Sequence, residues 1–389
     1  MAPASPSTGP VPAPVPGPVA EPASPLDPAP GDGVERPHTD TPHYAARWEN
    51  AVRGRVSRFL RSRGWRPHPL AYSGYGTVDA ARLFARVVLR PPGTGVEPEP
   101  TTPVTMQEIH EFLDQRGWRA FISTPDAGVP VKITVGGAVT MARADRGGYV
   151  EQVITGHGLQ PGTHTVTFEC PGGATATADV HVAHPEATVG LVSDIDDTAI
   201  STHLPRPLIA AWNTFVLTEQ ARDVVPGMAD AYRALLAEHP GAPVFYLSTG
   251  AWNTQPFLLR FLRRHEFPEG TLLLTDWGPT NTGWFRSGRE HKRRHLARLA
   301  EEFPGVRWVL VGDDGQHDPA IYDEFASEHP DRVAAIAIRQ LTALEQTLSR
   351  GVPVALAELV RRQLGRVPVL TAQDGFGLLP GLLKAVRGA

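Results

Sequence analysis

Val189-Gly190-Leu191-Val192-Ser193-Asp194-Ile195-Asp196-Asp197-Thr198 is an apolar run that ends abruptly in carboxylates. A short unbroken apolar run of this kind suits a strand buried on both faces. The end of such a strand can aim Asp194 at a phosphorus atom, and Asp196, two residues on, reaches the same substrate oxygens. One carboxylate can attack while the other protonates a leaving oxygen and later activates water. Two neighbouring carboxylates repel, so one pKa rises, which suits a general acid. A divalent cation would offset the remaining charge. The competing structural reading is an acidic turn that caps a helix, since Asp and Thr also favour N-caps.

Downstream, the same texture repeats. Thr188–Ser193, Val244–Ser248, Leu272–Leu274, Trp308–Val311 and Val333–Ile338 read as strands, with helical patterns at Ala229–Glu238, Gln255–His265 and Arg289–Glu302. Strand and helix in alternation predict an α/β fold with a parallel, Rossmann-like sheet, whose ligands sit beyond the carboxyl ends of the strands. Three more chemical elements fall at such places. Ser248, with Thr249 as its alternative, offers a hydroxyl to a phosphoryl group. Lys292 lies in the basic run Arg286-Ser287-Gly288-Arg289-Glu290-His291-Lys292-Arg293-Arg294, and a cation is needed to balance the carboxylate and phosphate charge. Spacing alone does not choose among these basic residues. Gly312-Asp313-Asp314-Gly315-Gln316-His317-Asp318 is a second acidic strand end, whose hard oxygen donors suit Mg²⁺. Asp313 is expected to bind the ion directly, and Asp314 or Asp318 through water. After Arg339, Leu341–Ser349 and Leu356–Leu364 read as helices, Val367–Leu370 as a strand and Leu378–Arg387 as a last helix.

Upstream, from about Leu70 to Pro185, alternation and turn residues take over. Arg119–Ser123, Val131–Val135, Val139–Ala144, Tyr149–Ile154, Thr163–Glu169 and Thr175–Val182 read as short strands, which predicts a small β-sandwich. Pro92 to Pro103 reads as an irregular loop. Before that, Trp48, Val52, Val56 and Phe59 recur at helical spacing among Arg47, Arg53, Arg55, Arg58, Arg61 and Arg63. Gly64 and Pro67 end the pattern. The stripe is expected to pack onto the next domain; the alternative is a basic amphipathic helix on an anionic membrane. Residues 1–41 are Pro, Ala, Gly and Ser with few large apolar residues, and are expected to be disordered. The expected divisions are a tail (1–41), a basic helix (42–66), a β-sandwich (67–185) and a catalytic domain (186–389).

Composition narrows the classes. The formal net charge is −4, so bulk charge does not favour nucleic acid, and the basic runs lack the aromatics of a nucleic-acid module. Cys170 is the one cysteine, which excludes an intramolecular disulfide or a cysteine-built zinc cluster. No apolar run reaches the ~18–20 residues of a membrane span, and the N-terminus has no signal-peptide pattern. The expectation is a soluble cytoplasmic protein, with peripheral membrane contact left open and protein partners unassigned.

Four ordered stretches, Ser193–Thr198, Tyr246–Asn253, Leu274–Thr280 and Gly312–Asp318, together resemble the haloacid-dehalogenase superfamily of phosphotransferases. Within it, they are most similar to the actin-patch type of phosphatidate phosphatase. The resemblance runs from about Val189 to Ile338. It implies Asp194 as nucleophile, Asp196 as acid and base, Thr198 as loop support, Ser248 as the phosphate-binding hydroxyl and Lys292 as the basic partner. It also implies a metal site from Asp194, the Asp196 carbonyl and Asp313. Ala199 departs from the bulkier aliphatic residue common after the threonine. The stretch Leu204–Phe215 stands where a large cap domain would be, so the site is expected to be open to a bulky or interfacial phosphomonoester such as a phospholipid. A soluble phosphomonoester, or a binding protein that kept the fold without the chemistry, are the other readings.

Overall fold

The computed structural model describes residues 55–92, 124–202, 222–275, 284–315, 317–342, 345, 354–363 and 365–387. The expected tail, the segment from Trp48 to Arg53, the Arg119–Ser123 strand, the Leu204–Phe215 stretch, residues 276–280 of the Leu274–Thr280 stretch and most of the Leu341–Ser349 helix lie outside these residues.

Six strands form the parallel sheet that the sequence predicts. They are β8 (Val189–Asp194), β11 (Val244–Ala251), β12 (Thr271–Thr275), β13 (Arg307–Asp313), β14 (Val333–Arg339) and β15 (Val369–Ala372), in the order β12-β11-β8-β13-β14-β15. Every residue of β8 and of β14 is buried, as strands covered on both faces require. The helices are α2 (Met228–Glu238), α3 (Gln255–Arg264), α4 (Trp284–Glu302), α5 (Asp318–Glu328), α6 (Val354–Gln363) and α7 (Gly375–Arg387). Contacts link α4 to α5 and α5 to α6, and separately α2 to α7. That is the two-layer division that right-handed crossovers impose on a sheet wound in both directions from β8. β8 therefore sits at the point where strand order reverses, and open α/β sheets bind their ligands at the carboxyl ends of the strands at such a point. A short antiparallel pair, β9 (Ile200–Thr202) with β10 (Arg222–Val224), follows β8 directly.

The β-rich region differs from the expected sandwich. Its strands form one seven-stranded sheet, β4-β3-β6-β7-β1-β2-β5, rather than two facing sheets. They are β1 (Arg66–Gly76), β2 (Ala80–Arg90), β3 (Pro130–Val135), β4 (Ala138–Arg143), β5 (Tyr149–Thr155), β6 (Gly162–Glu169) and β7 (Thr175–Val182). The pairings are antiparallel except β1 with β7, and the end strands β4 and β5 approach each other, so the sheet is nearly closed. A curled sheet and a sandwich each bury one face of every strand, so alternation alone does not separate them. Val131, Ile133, Val166, Phe168 and Val180 fill the interior.

Residues 55–62 form a helix, α1, closed by Gly64 at φ 85°. Of the expected stripe, Val56 and Phe59 are exposed, Phe59 at 55%, and Trp48 and Val52 lie outside the described residues. The helix is tied down instead by Arg61, which donates to both carboxylate oxygens of Asp126 at 2.7 Å. Among the described residues, no helix is long and apolar enough to cross a membrane.

Candidate active site

The carboxyl ends of β8, β11 and β13 converge with α4 and the start of α5. β8 delivers Asp194, buried at 2% exposure. The next turn is tight: Ala199 and Ile200 donate backbone N–H groups to the Ile195 carbonyl, both at 3.0 Å. Asp197 takes φ 59°, a left-handed conformation that Asp tolerates better than most residues. Arg339, at the end of β14, donates to the Asp197 carbonyl (2.8 Å), to the Gln373 carbonyl (3.1 Å) and to Glu345 Oε1 (2.8 Å). Ser201 also donates to Glu345 Oε1, at 2.9 Å. Partial burial pushes the Glu345 carboxyl up, but the bonds from Arg339, the Thr342 backbone and Ser201 outweigh it and hold the pKa at about 2.

Around Asp194 the geometry is specific. Lys292 Nζ donates to Asp194 Oδ1 at 2.7 Å and to Asp318 Oδ1 at 2.5 Å, and all three residues are buried. Thr198 Oγ1 reaches Asp194 Oδ2 at 3.4 Å. Asp196 is only partly buried; its Oδ2 accepts from Ser248 Oγ at 2.9 Å. Ser248 Oγ in turn accepts the Gly250 N–H at 3.0 Å, so this hydroxyl is oriented from both sides. Thr249 is half-buried on the same strand end, and its carbonyl accepts from Thr275 Oγ1 at 2.8 Å. Asp313 Oδ1 accepts the Gly315 N–H at 2.7 Å.

The structure separates two aspartates that the sequence left equivalent. Asp194, Asp313 and Asp318 lie together, with one carboxylate oxygen of each within 4.8 Å of the others. Asp314 is not in that group; its Oδ1 accepts the Leu341 N–H at 2.9 Å and ties the end of β13 to the segment after β14. Asp196 is outside the group by its side chain.

The charges are unbalanced. Burial pushes the Asp194 carboxyl well above the usual range, and Asp318 and Asp196 add to this, while Lys292 opposes it. Asp313 is also pushed well up, first by burial and then by Asp318 and Asp194. Burial works against the Lys292 ammonium, but Asp194 and Asp318 outweigh it and raise its pKa, so it stays charged. Three buried carboxylates thus share one cation. Asp313 Oδ2 and Asp318 Oδ2 are buried and accept no hydrogen bond among the described residues. Buried oxygens without a partner, on aspartates that lie within ligand distance of one another, fit a divalent metal ion, which would supply both the missing ligation and the missing charge.

Sequence reasoning gave no role to two residues that hold this geometry. Gly312 lies against Asp318: a Cβ there would meet Asp318 Oδ2 at 2.5 Å and Asp318 Cβ at 2.7 Å. Only a hydrogen fits, and a glycine just before an acidic pair at a strand end is the signal that could have shown it. Arg339 carries no such local signal.

Residues 189–340 match the family described as "Phosphatidate phosphatase APP1, catalytic domain". Phosphatidate phosphatase APP1 of Saccharomyces cerevisiae is 29% identical over 154 residues, which is 39% of this chain and 26% of that protein. An uncharacterized protein of Schizosaccharomyces pombe is 25% identical over 154 residues, 39% of this chain and 25% of its own. The match therefore spans about a quarter of each relative's length. A carbohydrate acetylesterase from Xanthomonas citri covers 76% of both chains at 11% identity, with a TM-score of only 0.27. The matched segment contains the converging ends of β8, β11 and β13 together with Lys292 and Asp318, and it is over residues 189–340 that this chain is similar to the APP1 phosphatidate phosphatase catalytic domain.

Proposed function

We propose that the protein is a Mg²⁺-dependent phosphatase of phosphatidate or a related phospholipid monoester, acting through an aspartyl-phosphate on Asp194. The observation that carries this reading is the buried group of Asp194, Asp313 and Asp318, with Lys292 bridging Asp194 and Asp318, at the reversal point of the sheet and within the family segment. The assignment of each role below is part of the proposal.

Asp194 attacks phosphorus with a carboxylate oxygen. Lys292 and Thr198 hold that carboxylate in one orientation, and an oriented nucleophile avoids much of the entropy cost of the encounter. The bond from phosphorus to the alcohol oxygen breaks, and Asp196 gives its proton to the departing oxygen. Water then attacks the phosphorus of the aspartyl-phosphate, Asp196 takes its proton, and phosphate leaves with Asp194 restored. Ser248, held by Asp196 and Gly250, donates to a phosphoryl oxygen, with Thr249 beside it. Asp194, the Asp196 carbonyl, Asp313 and Asp318 would hold Mg²⁺, which when bound neutralises charge on the phosphoryl group. Asp314 takes no part beyond fastening the loop.

The deciding experiment is phosphate release from dispersed phosphatidate with Mg²⁺ and with EDTA, beside p-nitrophenyl phosphate. Metal-dependent release from the lipid, lost by about 10³-fold or more in Asp194→Asn, is the expected result. Release from the small ester alone moves the substrate to a soluble phosphomonoester. Full activity in Asp194→Asn removes the assigned nucleophile.

A further inference from the structure

Ser248 and Gly250 lie where β11 leaves its ladder. β11 pairs with β8 only as far as Leu247, and its pairing with β12 is interrupted between Leu247 and Ala251. The atoms that orient the Ser248 hydroxyl therefore need anchors other than strand pairing. One is Thr275 Oγ1, which donates to the Thr249 and Gly250 carbonyls at 2.8 and 3.2 Å. The other comes from the β-rich region. Trp252, two residues after Gly250 and 5% exposed, stacks on Tyr72 of β1 at 4.7 Å and 24° between planes. Phe84 of β2 packs on the same indole at 5.5 Å. Beside them, Gln255 Nε2 donates to Ser73 Oγ at 3.1 Å. The same surface holds the C-terminal half of α4, where Arg298 meets Glu151 at 2.8 Å and Tyr75 donates to Glu302 at 2.7 Å.

We infer that the β-rich region braces the Ser248–Gly250 strand end, with Tyr72 and Phe84 as positioning residues that act through Trp252. Stacked aromatic rings suit this task because their preferred offset and tilted arrangements fix both the spacing and the orientation of the indole. The catalytic consequence rests on the proposed phosphatase reading; the brace itself has a separate readout. A donor displaced by about 1 Å costs on the order of 100-fold in rate.

The test uses the full chain and three variants, Tyr72→Ala, Tyr72→Phe and Phe84→Leu. Amide hydrogen exchange is followed across residues 248–252 and, as a control, across β8 and β13. In Tyr72→Ala the 248–252 amides are expected to exchange about tenfold faster or more while the control strands keep their rates. In the same variant kcat for Mg²⁺-dependent phosphate release falls on the order of 100-fold, and Tyr72→Phe, which keeps the ring, restores both. Exchange unchanged at 248–252, or accelerated equally in β8 and β13, overturns the brace. Should Tyr72→Ala not fold, Phe84→Leu supplies the same comparison, because it keeps apolar bulk and removes only a ring. Wild-type protein that releases no phosphate defeats the phosphatase reading, and the exchange pattern still decides the brace.

Discussion

At the scale of single residues, the site depends on an atom that is missing from Gly312. Its lack of a side chain lets the Asp318 carboxylate lie against β13, where Oδ1 meets Lys292 and Oδ2 lies against Gly312, buried and without a hydrogen bond among the described residues. Gly312→Ala is expected to push Asp318 aside, at ~1–3 kcal/mol of overpacking. Lys292 would then keep one of its two partners. The Mg²⁺ concentration for half-maximal phosphate release should rise about 10–100-fold, as for other changes that disturb the support of metal ligands. A metal titration of activity checks this, and an unchanged requirement would mean that Asp318 has no part in metal binding. The carboxylate identities were legible in the sequence because acidic residues at the end of an apolar run have few structural uses. Their division of labour was not. Asp314 and Asp318 are four residues apart on one loop, and only the path of that loop turns Asp314 toward Leu341 and Asp318 toward Lys292. Spacing alone did not pick Lys292 from its basic neighbours; the family resemblance named it, and α4 brings its ammonium to Asp194 at the end of β8.

At the scale of elements, α4 does two things at once, holding Lys292 at the site and burying His291 and His295 in the core. The two rings meet edge to face at 4.4 Å, and His291 Nε2 lies 3.3 Å from the Leu273 carbonyl. Burial, then the positive charge of Arg294, Lys292 and Arg298, pushes the His291 pKa down to about 4 despite the bond to Leu273; His295 is also pushed well down, first by burial. Unfolded, both rings take a proton near pH 6.5. Between about 6.5 and 4 these two rings therefore hold more protons in the unfolded chain than in the folded one, and their contribution to stability falls as pH falls. For His291 alone the loss amounts to about 3 kcal/mol at the low end of that window. His291→Gln keeps a donor for Leu273 and cannot titrate, so its urea-unfolding free energy should vary less with pH by about that amount. Parallel curves for the two proteins would show that the native ring protonates freely. Glu345, whose folded pKa of about 2 lies below its ordinary value, weakens the fold only at lower pH, between about 4.5 and 2, so the windows are distinct. The elements themselves were unevenly legible. The parallel strands stood out as short apolar runs buried on both faces. β1 did not, because Pro67 and Pro69 argue against a strand; nor did β2, where Arg82, Arg86 and Arg90 at four-residue spacing imitate a helix face. Pairing with each other and with β5 and β7 overrides both local signals.

At the scale of the whole molecule, the question is whether the two sheets form one cooperative structure. Tyr72, Tyr75 and Phe84 belong to the same apolar cluster as Phe245, Trp252, Phe303 and Trp308, and not to the interior of their own sheet. Tyr75 meets Phe245 edge to face at 4.9 Å, and Thr271, at the start of edge strand β12, donates to the Gly74 carbonyl at 3.1 Å. The β-rich region thereby covers an edge that would otherwise be exposed. Polar contacts frame this core: Glu302 accepts from Tyr75 and from Arg82, and Glu151 accepts from Arg82 at 2.6 Å and from Arg298 at 2.8 Å. A shared core of this kind predicts one calorimetric transition, with van't Hoff and calorimetric enthalpies in agreement, rather than two. Glu302→Ala sharpens the expectation. It leaves the Tyr75 hydroxyl, buried at 1% exposure, without its acceptor and removes one of two carboxylates from Arg82, a loss of about 1.5–3 kcal/mol. If the regions unfold together, the single transition moves down by several degrees and keeps its shape. If they unfold separately, the variant splits the heat-capacity peak, and the α/β region would be shown to stand without its neighbour.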